Sequence, residues 1–397
     1  MEITMSSEAR TGRRRWIALA FVSLAQLMIA LDATVMNIAL PSAQSALGFS
    51  DADRQWVITS YTLAFGGLLL LGGRIADYAG RKRAFLIGLL GFAAASALGG
   101  AAPNLAVLTT ARALQGGFGA LLAPTVLSLL AVTFTGPKDR ARAFAIFGAI
   151  AGGGGAIGLL LGGALADVNW RWCLYVNVLI AIVAVAGGLF FLGDVRPARR
   201  VRPDVPGALL ATGGLVALVY GCTRAASGGW TSARVVGPLA GGVLLLVVFA
   251  LLETRVASPL LPPRIVRDSD RVGAYLSVAS AVAGMLGMFL FLTYYLQIVL
   301  GYQPVRAGLA FLPLSVAVLL SAQLAGRLLP HLQPRVLIVP GLVAAALAML
   351  LLTTLGAGSG YASRVLPAEI VLGLGMGCVF VPAINAAIQR VDRATAA

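Results

Sequence analysis

The chain is 397 residues long, 59% hydrophobic and 11% charged, with a mean hydropathy of +0.91. That balance excludes an ordinary soluble globular domain and fits an integral membrane protein. The net charge of +15 would suit a nucleic-acid binder, but the basic residues sit between apolar runs, which points instead to loops at one membrane face.

The apolar residues form twelve runs: 16 to 40, 56 to 76, 83 to 102, 105 to 134, 141 to 166, 172 to 193, 207 to 224, 234 to 252, 272 to 300, 305 to 329, 335 to 357 and 363 to 388. Each is close to the roughly twenty residues a helix needs to cross ~30 Å of hydrocarbon. Barrel strands would instead read as short alternating stretches. The expected fold is therefore all-α and integral to the membrane. If the N-terminus lies inside, the inner segments hold Arg10 and the clusters Arg13 to Arg15, Arg81 to Arg83, Lys138 to Arg142 and Arg196 to Arg202, with Arg255, Arg264, Arg267, Arg271, Arg327, Arg335, Arg390 and Arg393. The outer segments hold only Arg54, Arg171, Arg224, Arg234, Arg306 and Arg364. This excess of basic residues on one side predicts a cytoplasmic N-terminus.

The first run, "QLMIALDATVMNIALP", contains Asp32. Arg13 to Arg15 before it resemble the start of a signal peptide, but the acid and the eleven further runs mark it as a helix that stays. A charge near the bilayer centre costs about 2.5 to 3.5 kcal/mol on insertion scales, so Asp32 is expected to face protein or water. Ser23, Gln26, Thr34 and Asn37 form a polar stripe nearly opposite to it. The second run carries Tyr61, and the turn after it reads "GRIADYAGRKR", with Gly73, Asp77, Gly80, Arg81 and Lys82. Glycines permit a tight turn there, and the lone acid can pair with its basic neighbours or with a helix N-terminus.

In the fourth run Arg112, Gln115, Gly116 and Gly119 share one face. At ~1.5 Å per residue, Asp32 lies roughly 20 Å from the inner end of its helix and Arg112 roughly 10 Å from the outer end of its own. The two are thus at similar depth and can interact. A proton-handling site and a static structural ion pair are the two readings of such a pair.

The fifth run has Gly154, Gly158 and Gly162, a four-residue-spaced ridge suited to close helix packing. The same stretch contains a Gly-x-Gly-x-x-Gly frame at Gly153, Gly155 and Gly158, but no strand precedes it, so nucleotide binding is not expected. Cys173, Cys222 and Cys378 lie in separate apolar runs and read as small packing residues. Tyr294, Tyr295 and Gln297 in the ninth run are candidate cavity residues, as are Gln26, Thr34, Asn37 and Tyr61; aromatic faces suit cations, and ordinary interhelical packing is the alternative. Glu369 in the twelfth run is a second acid within an apolar segment. His331, the single histidine, falls in a turn, so catalytic triads and histidine-rich metal sites lack their parts.

Two motifs recur in order. Gly73-Arg74 answers to Gly326-Arg327, 253 residues on, and "GFGALLAP" (117 to 124) answers to "GMGCVFVP" (375 to 382), 258 residues on. The offsets exceed six helices by the runs 207 to 224 and 234 to 252. The chain accordingly divides into a tail (1 to 15), a six-helix bundle (16 to 193), a cytoplasmic linker with an inserted helix pair (194 to 271) and a four-helix portion of a second bundle (272 to 397). By this frame Glu369 aligns with Ala111, one position from Arg112, which leaves its facing undetermined.

The turn at Gly73, Asp77, Gly80, Arg81 and Lys82 resembles the signature of the major facilitator superfamily. With "LDATVMNIALP", "QWVITSYTLAFG", "RALQGGFGA", "WRWCLYVNV" and "YYLQIVLGYQPVRAGLAFLP", the chain resembles the fourteen-helix drug:proton antiporters over essentially its whole length. The resemblance implies a bacterial inner-membrane exporter of lipophilic, often cationic, compounds, driven by protons without a cofactor. It also implies that Asp32 and Arg112, with Gln115 and Glu369 as further candidates, serve proton coupling and substrate recognition. Two features depart from that family. Gly158-Leu159 stands where a Gly-Pro pair is usual, and the twelve runs fall two short of that family's fourteen, an expected lack of the final pair that would deprive Asp77 of a neighbour. A metabolite facilitator or importer of the same superfamily and a truncated, non-transporting membrane protein are the alternative expectations.

Overall fold

The computed structural model describes residues 2–193, 204–256, 268–329, 331–356 and 358–395. The stretches 194–203 and 257–267, which contain most of the expected cytoplasmic linker and the residues Arg196 to Arg202, Arg264 and Arg267, lie outside the described residues. Everything ordered into elements is helical, as the length and apolarity of the runs require once no water is present to satisfy backbone groups. Eleven helical stretches among the described residues are long and apolar enough to span a bilayer. The fifth run is also one helix, of 32 residues, with a shorter apolar stretch at Ile157–Val168.

In chain order the helices are α1 (Glu2–Leu47), α2 (Asp51–Ala79), α3 (Arg81–Gly100), α4 (Leu105–Thr133), α5 (Pro137–Val168), α6 (Trp172–Phe191), α7 (Val205–Gly228), α8 (Ala233–Glu253), α9 (Ser269–Tyr294), α10 (Pro304–Ala310), α11 (Leu312–Leu328), α12 (Pro334–Leu352) and α13 (Leu366–Thr395). A π turn, Tyr295–Val299, extends α9, and another, Tyr361–Val365, leads into α13. The tenth run is broken into α10 and α11 at Phe311, just before Pro313, whose missing N–H cannot continue the ladder.

The helices form two units. The first contains residues 1–32, 42–154 and 169–262; the second contains 33–41, 155–168 and 263–397. The inserted pair α7 and α8 therefore groups with the N-terminal helices, while short parts of α1 and α5 group with the C-terminal ones.

In the first unit α4 packs on α2 and α3, and α3 on α6. Gly72 faces the Ala120 carbonyl and Gly116 faces the Tyr61 carbonyl so closely that neither position has room for a Cβ. The turn between α2 and α3 passes through Gly80 at φ +95°, a conformation that suits glycine. Lys82 then donates to the Leu189 and Leu192 carbonyls, both at 2.8 Å, which caps the end of α6. Asp77 pairs with Arg81 at 3.8 Å. Thr212 of α7 donates to the Gly67 carbonyl of α2 at 2.7 Å, and α7 crosses α8 where Gly214 and Gly242 face each other's carbonyls. The expected glycine ridge of α5 meets α1 in both units: Gly154 lies against Ala30 and Leu27 in the first, and Gly162 against Val35 in the second.

The second unit is built on α13, against which α9, α11 and α12 pack. Gly341 and Gly375 face each other's carbonyls, and Gly377 lies against Ser321 and Ala322. The core here runs through Phe289, Phe311, Leu314, Ala348, Leu372 and Met376.

Candidate functional site

The candidate site forms where close helix packing traps polar side chains inside the first unit. Ser50 and Asn104 start α2 and α4 by accepting the amides of Asp53 and Val107. The glycine contact at Gly116 draws α4 onto α2, which places Arg112, one turn earlier, against Val57 and Tyr61.

Asp32, Arg112, Gln115, Ser96 and Asn177 are each 1% exposed or less. Arg112 Nη1 donates to Asp32 Oδ2 at 2.6 Å and to Gln115 Oε1 at 3.0 Å. Its Nε donates to the Val57 carbonyl at 3.3 Å, and the guanidinium carbon stands 4.4 Å from the centre of the Tyr61 ring. Asp32 Oδ1 accepts from Gln115 Nε2 at 3.0 Å and from Asn177 Nδ2 at 2.7 Å. Gln115 Nε2 also donates to Ser96 Oγ at 2.7 Å, and Ser96 donates to the Phe92 carbonyl at 2.8 Å.

Every polar contact of Asp32 in this network is one in which it accepts, and a guanidinium supplies the nearest donor. That is the hydrogen-bonding pattern of a carboxylate beside its counter-ion. An isolated buried charge would be strongly unfavourable, and a pair is tolerated only when its remaining lone pairs and protons are also satisfied. Gln115, Asn177, Ser96 and the Val57 carbonyl meet that requirement. Asn177 Oδ1 alone in the network is buried without a hydrogen-bond partner.

The candidates named from the sequence scatter. Tyr61 joins the network through its ring. Asn37, 4% exposed, donates to the Ala33 carbonyl of its own helix, and Gln26 and Thr34 are half-buried. Tyr295 and Gln297 lie in the second unit, where the Tyr295 hydroxyl contacts the Gly356 and Ser359 carbonyls and Gln297 Nε2 donates to the Ile38 carbonyl at 3.0 Å. Tyr294 and Tyr295 line an apolar cavity of about 530 Å³ with Met288, Phe291, Leu292 and Met349. Glu369 is also in the second unit, 1% exposed and beside Tyr361.

Sequence reasoning missed Asn177 and Ser96. The first was legible in principle, as an amide inside one of the most apolar spans; the second is one small residue in an alanine- and glycine-rich stretch.

Residues 22–397 match the family model described as Major Facilitator Superfamily. The chain is 53% identical over 382 residues to "Puromycin resistance protein pur8" of Streptomyces alboniger, covering 95% of this chain and 76% of that protein. It is 40% identical over 370 residues to "Cephamycin export protein CmcT" of Amycolatopsis lactamdurans, covering 92% and 76%. A crystal structure of peptide transporter POT in complex with sulfate superposes with a TM-score of 0.65 over 97% of this chain and 90% of that one; at 18% identity this is a likeness of fold.

Proposed function

This chain belongs to the Major Facilitator Superfamily, a family of multi-pass membrane transporters and not of enzymes, and we propose that it exports lipophilic, cationic antibiotics in exchange for protons. The export reading is supported by relatives named for puromycin resistance and cephamycin export. The observation that carries the electrostatic part is the buried Asp32–Arg112 pair with its ring of amide donors. Charges kept inside a spanning segment are expensive and mark ion or substrate pathways. A substrate cation that competes with Arg112 for Asp32 would exchange one satisfied charge pair for another, which suits an alternating-access cycle. The excess of basic residues in alternate loops supports a cytoplasmic N-terminus in a bacterial cell membrane.

One proton moved through 100 mV supplies about 2.3 kcal/mol, which at ~1.4 kcal/mol per decade sustains roughly a fifty-fold gradient of a neutral substrate. For a monovalent cation such as ethidium the one-for-one exchange moves no net charge, so the pH difference alone drives it, about tenfold per pH unit. The test is transport in proteoliposomes with ethidium and puromycin as probes. An imposed pH gradient is expected to drive substrate accumulation on the acidic side, and substrate addition to release protons from that side. Substrate movement indifferent to the gradient would contradict proton exchange.

A further inference from the structure

Glu369 is the buried acid that the Asp32 network leaves unused. It stands in the first turn of α13, 1% exposed, and belongs to none of the ion pairs among the described residues. The charged groups on the elements packed around α13 are engaged or distant. Arg306 stacks over the Tyr302 ring at 4.0 Å, and Arg364 Nη1 reaches Thr354 Oγ1 at 3.4 Å. Arg271, Arg327 and Arg335 lie near the opposite ends of α9, α11 and α12. Of the neighbouring tyrosines, Tyr295 is committed to the Gly356 and Ser359 carbonyls, which leaves Tyr361 as the one against the carboxyl group.

Tyr361 opens the π turn that leads into α13. Its hydroxyl donates to the Ala310 carbonyl at 2.7 Å and lies 3.3 Å from Glu369 Oε2. A phenol has one hydrogen to give. An ionised carboxylate draws a hydroxyl to about 2.5 to 2.7 Å. Here the short contact is with Ala310 and the long one with Glu369, so the hydrogen is on the Ala310 side and an Oη lone pair faces the acid. Glu369 Oε1, the other oxygen, is buried with no hydrogen-bond partner. A carboxylate with one bare oxygen and no cation would leave an uncompensated buried charge. A neutral acid has one O–H, and the Tyr361 oxygen is the acceptor within reach.

We propose that Glu369 is a proton-binding site of the second unit and that Tyr361 is a latch reading its state. With the acid protonated, Tyr361 gives its hydrogen to Ala310. When the carboxyl O–H bond breaks and its proton passes to water, the Tyr361 hydroxyl turns its hydrogen to the new carboxylate and lets go of the Ala310 carbonyl. Ala310 ends α10 at the break before α11, where Phe311 N bonds Gly308 O at 3.3 Å, so proton loss frees a joint. The use of this proton in transport rests on the exchange reading above; the protonated state and the latch rest on the geometry.

The experiment is infrared difference spectroscopy across a pH jump on purified protein in lipid, paired with ethidium transport. Wild type should show a carboxylic-acid carbonyl band that is absent in Glu369→Gln and kept in Asp32→Asn. Tyr361→Phe, which keeps the acid but removes its acceptor, should shift that band toward a free acid. Glu369→Gln should lower pH-driven ethidium accumulation by at least about tenfold, equivalent to ~1.4 kcal/mol, while ethidium counterflow persists. A band unchanged in Glu369→Gln, or lost in Asp32→Asn, overturns the proton site, and an unshifted band in Tyr361→Phe overturns the latch. If Glu369→Gln fails to reach the membrane, the Tyr361→Phe spectrum decides. A wild-type band assigned to Glu369 together with transport indifferent to pH supports the proton site and contradicts only proton exchange. Gradient-driven transport without the band does the reverse.

Discussion

Asp32 and Glu369 are equally hidden, each 1% exposed, yet their surroundings are opposite. Asp32 accepts from Arg112, Gln115 and Asn177. Glu369 has one long contact to a tyrosine and a bare second oxygen. Burial alone would rank them together as proton carriers, but the count and charge of the donors separate them. The first is arranged as an anion held by its counter-ion, the second as an acid whose proton has somewhere to point.

The most disruptive way to break that contrast is to make Asp32 resemble Glu369. Arg112→Met removes the counter-ion and leaves a buried, unpaired carboxylate, which is expected to destabilise by about 3 to 5 kcal/mol. A lowered unfolding temperature and lost ethidium efflux would show it, and Arg112→Met with Asp32→Asn should recover much of the stability. Asn177→Ala sharpens the contrast with a smaller step. It removes one neutral donor to a charged acceptor, an effect of about 1.5 to 3 kcal/mol. The unfolding temperature of purified protein measures it, and no change would mean that Asp32 does not depend on that amide.

The helices were legible in the sequence because a bilayer-spanning run of roughly twenty apolar residues is itself the physical requirement for crossing. The pairing of Asp32 with Arg112 was legible from depth, since helix rise is constant. The rest of the ring was not. Ser96 differs from its alanine neighbours by one hydroxyl, and its contact with Gln115 depends on how α3 meets α4. Tyr295 lines a cavity, but a side-chain type does not reveal that its hydroxyl meets loop carbonyls or that Gln297 donates to the Ile38 carbonyl. Glu369 could not be oriented because the repeat aligns it with Ala111, one position from Arg112, and a step of one residue turns a helical side chain by about 100°. The division of α1 after Asp32 follows from packing on either side of that residue, which no periodicity records.

The most direct test of the account is gradient-driven ethidium transport by Asp32→Asn in proteoliposomes, at protein levels matched to wild type. The account predicts accumulation no greater than in empty liposomes, because Arg112 is left without the anion that a substrate cation must share. Accumulation at the wild-type level would contradict it.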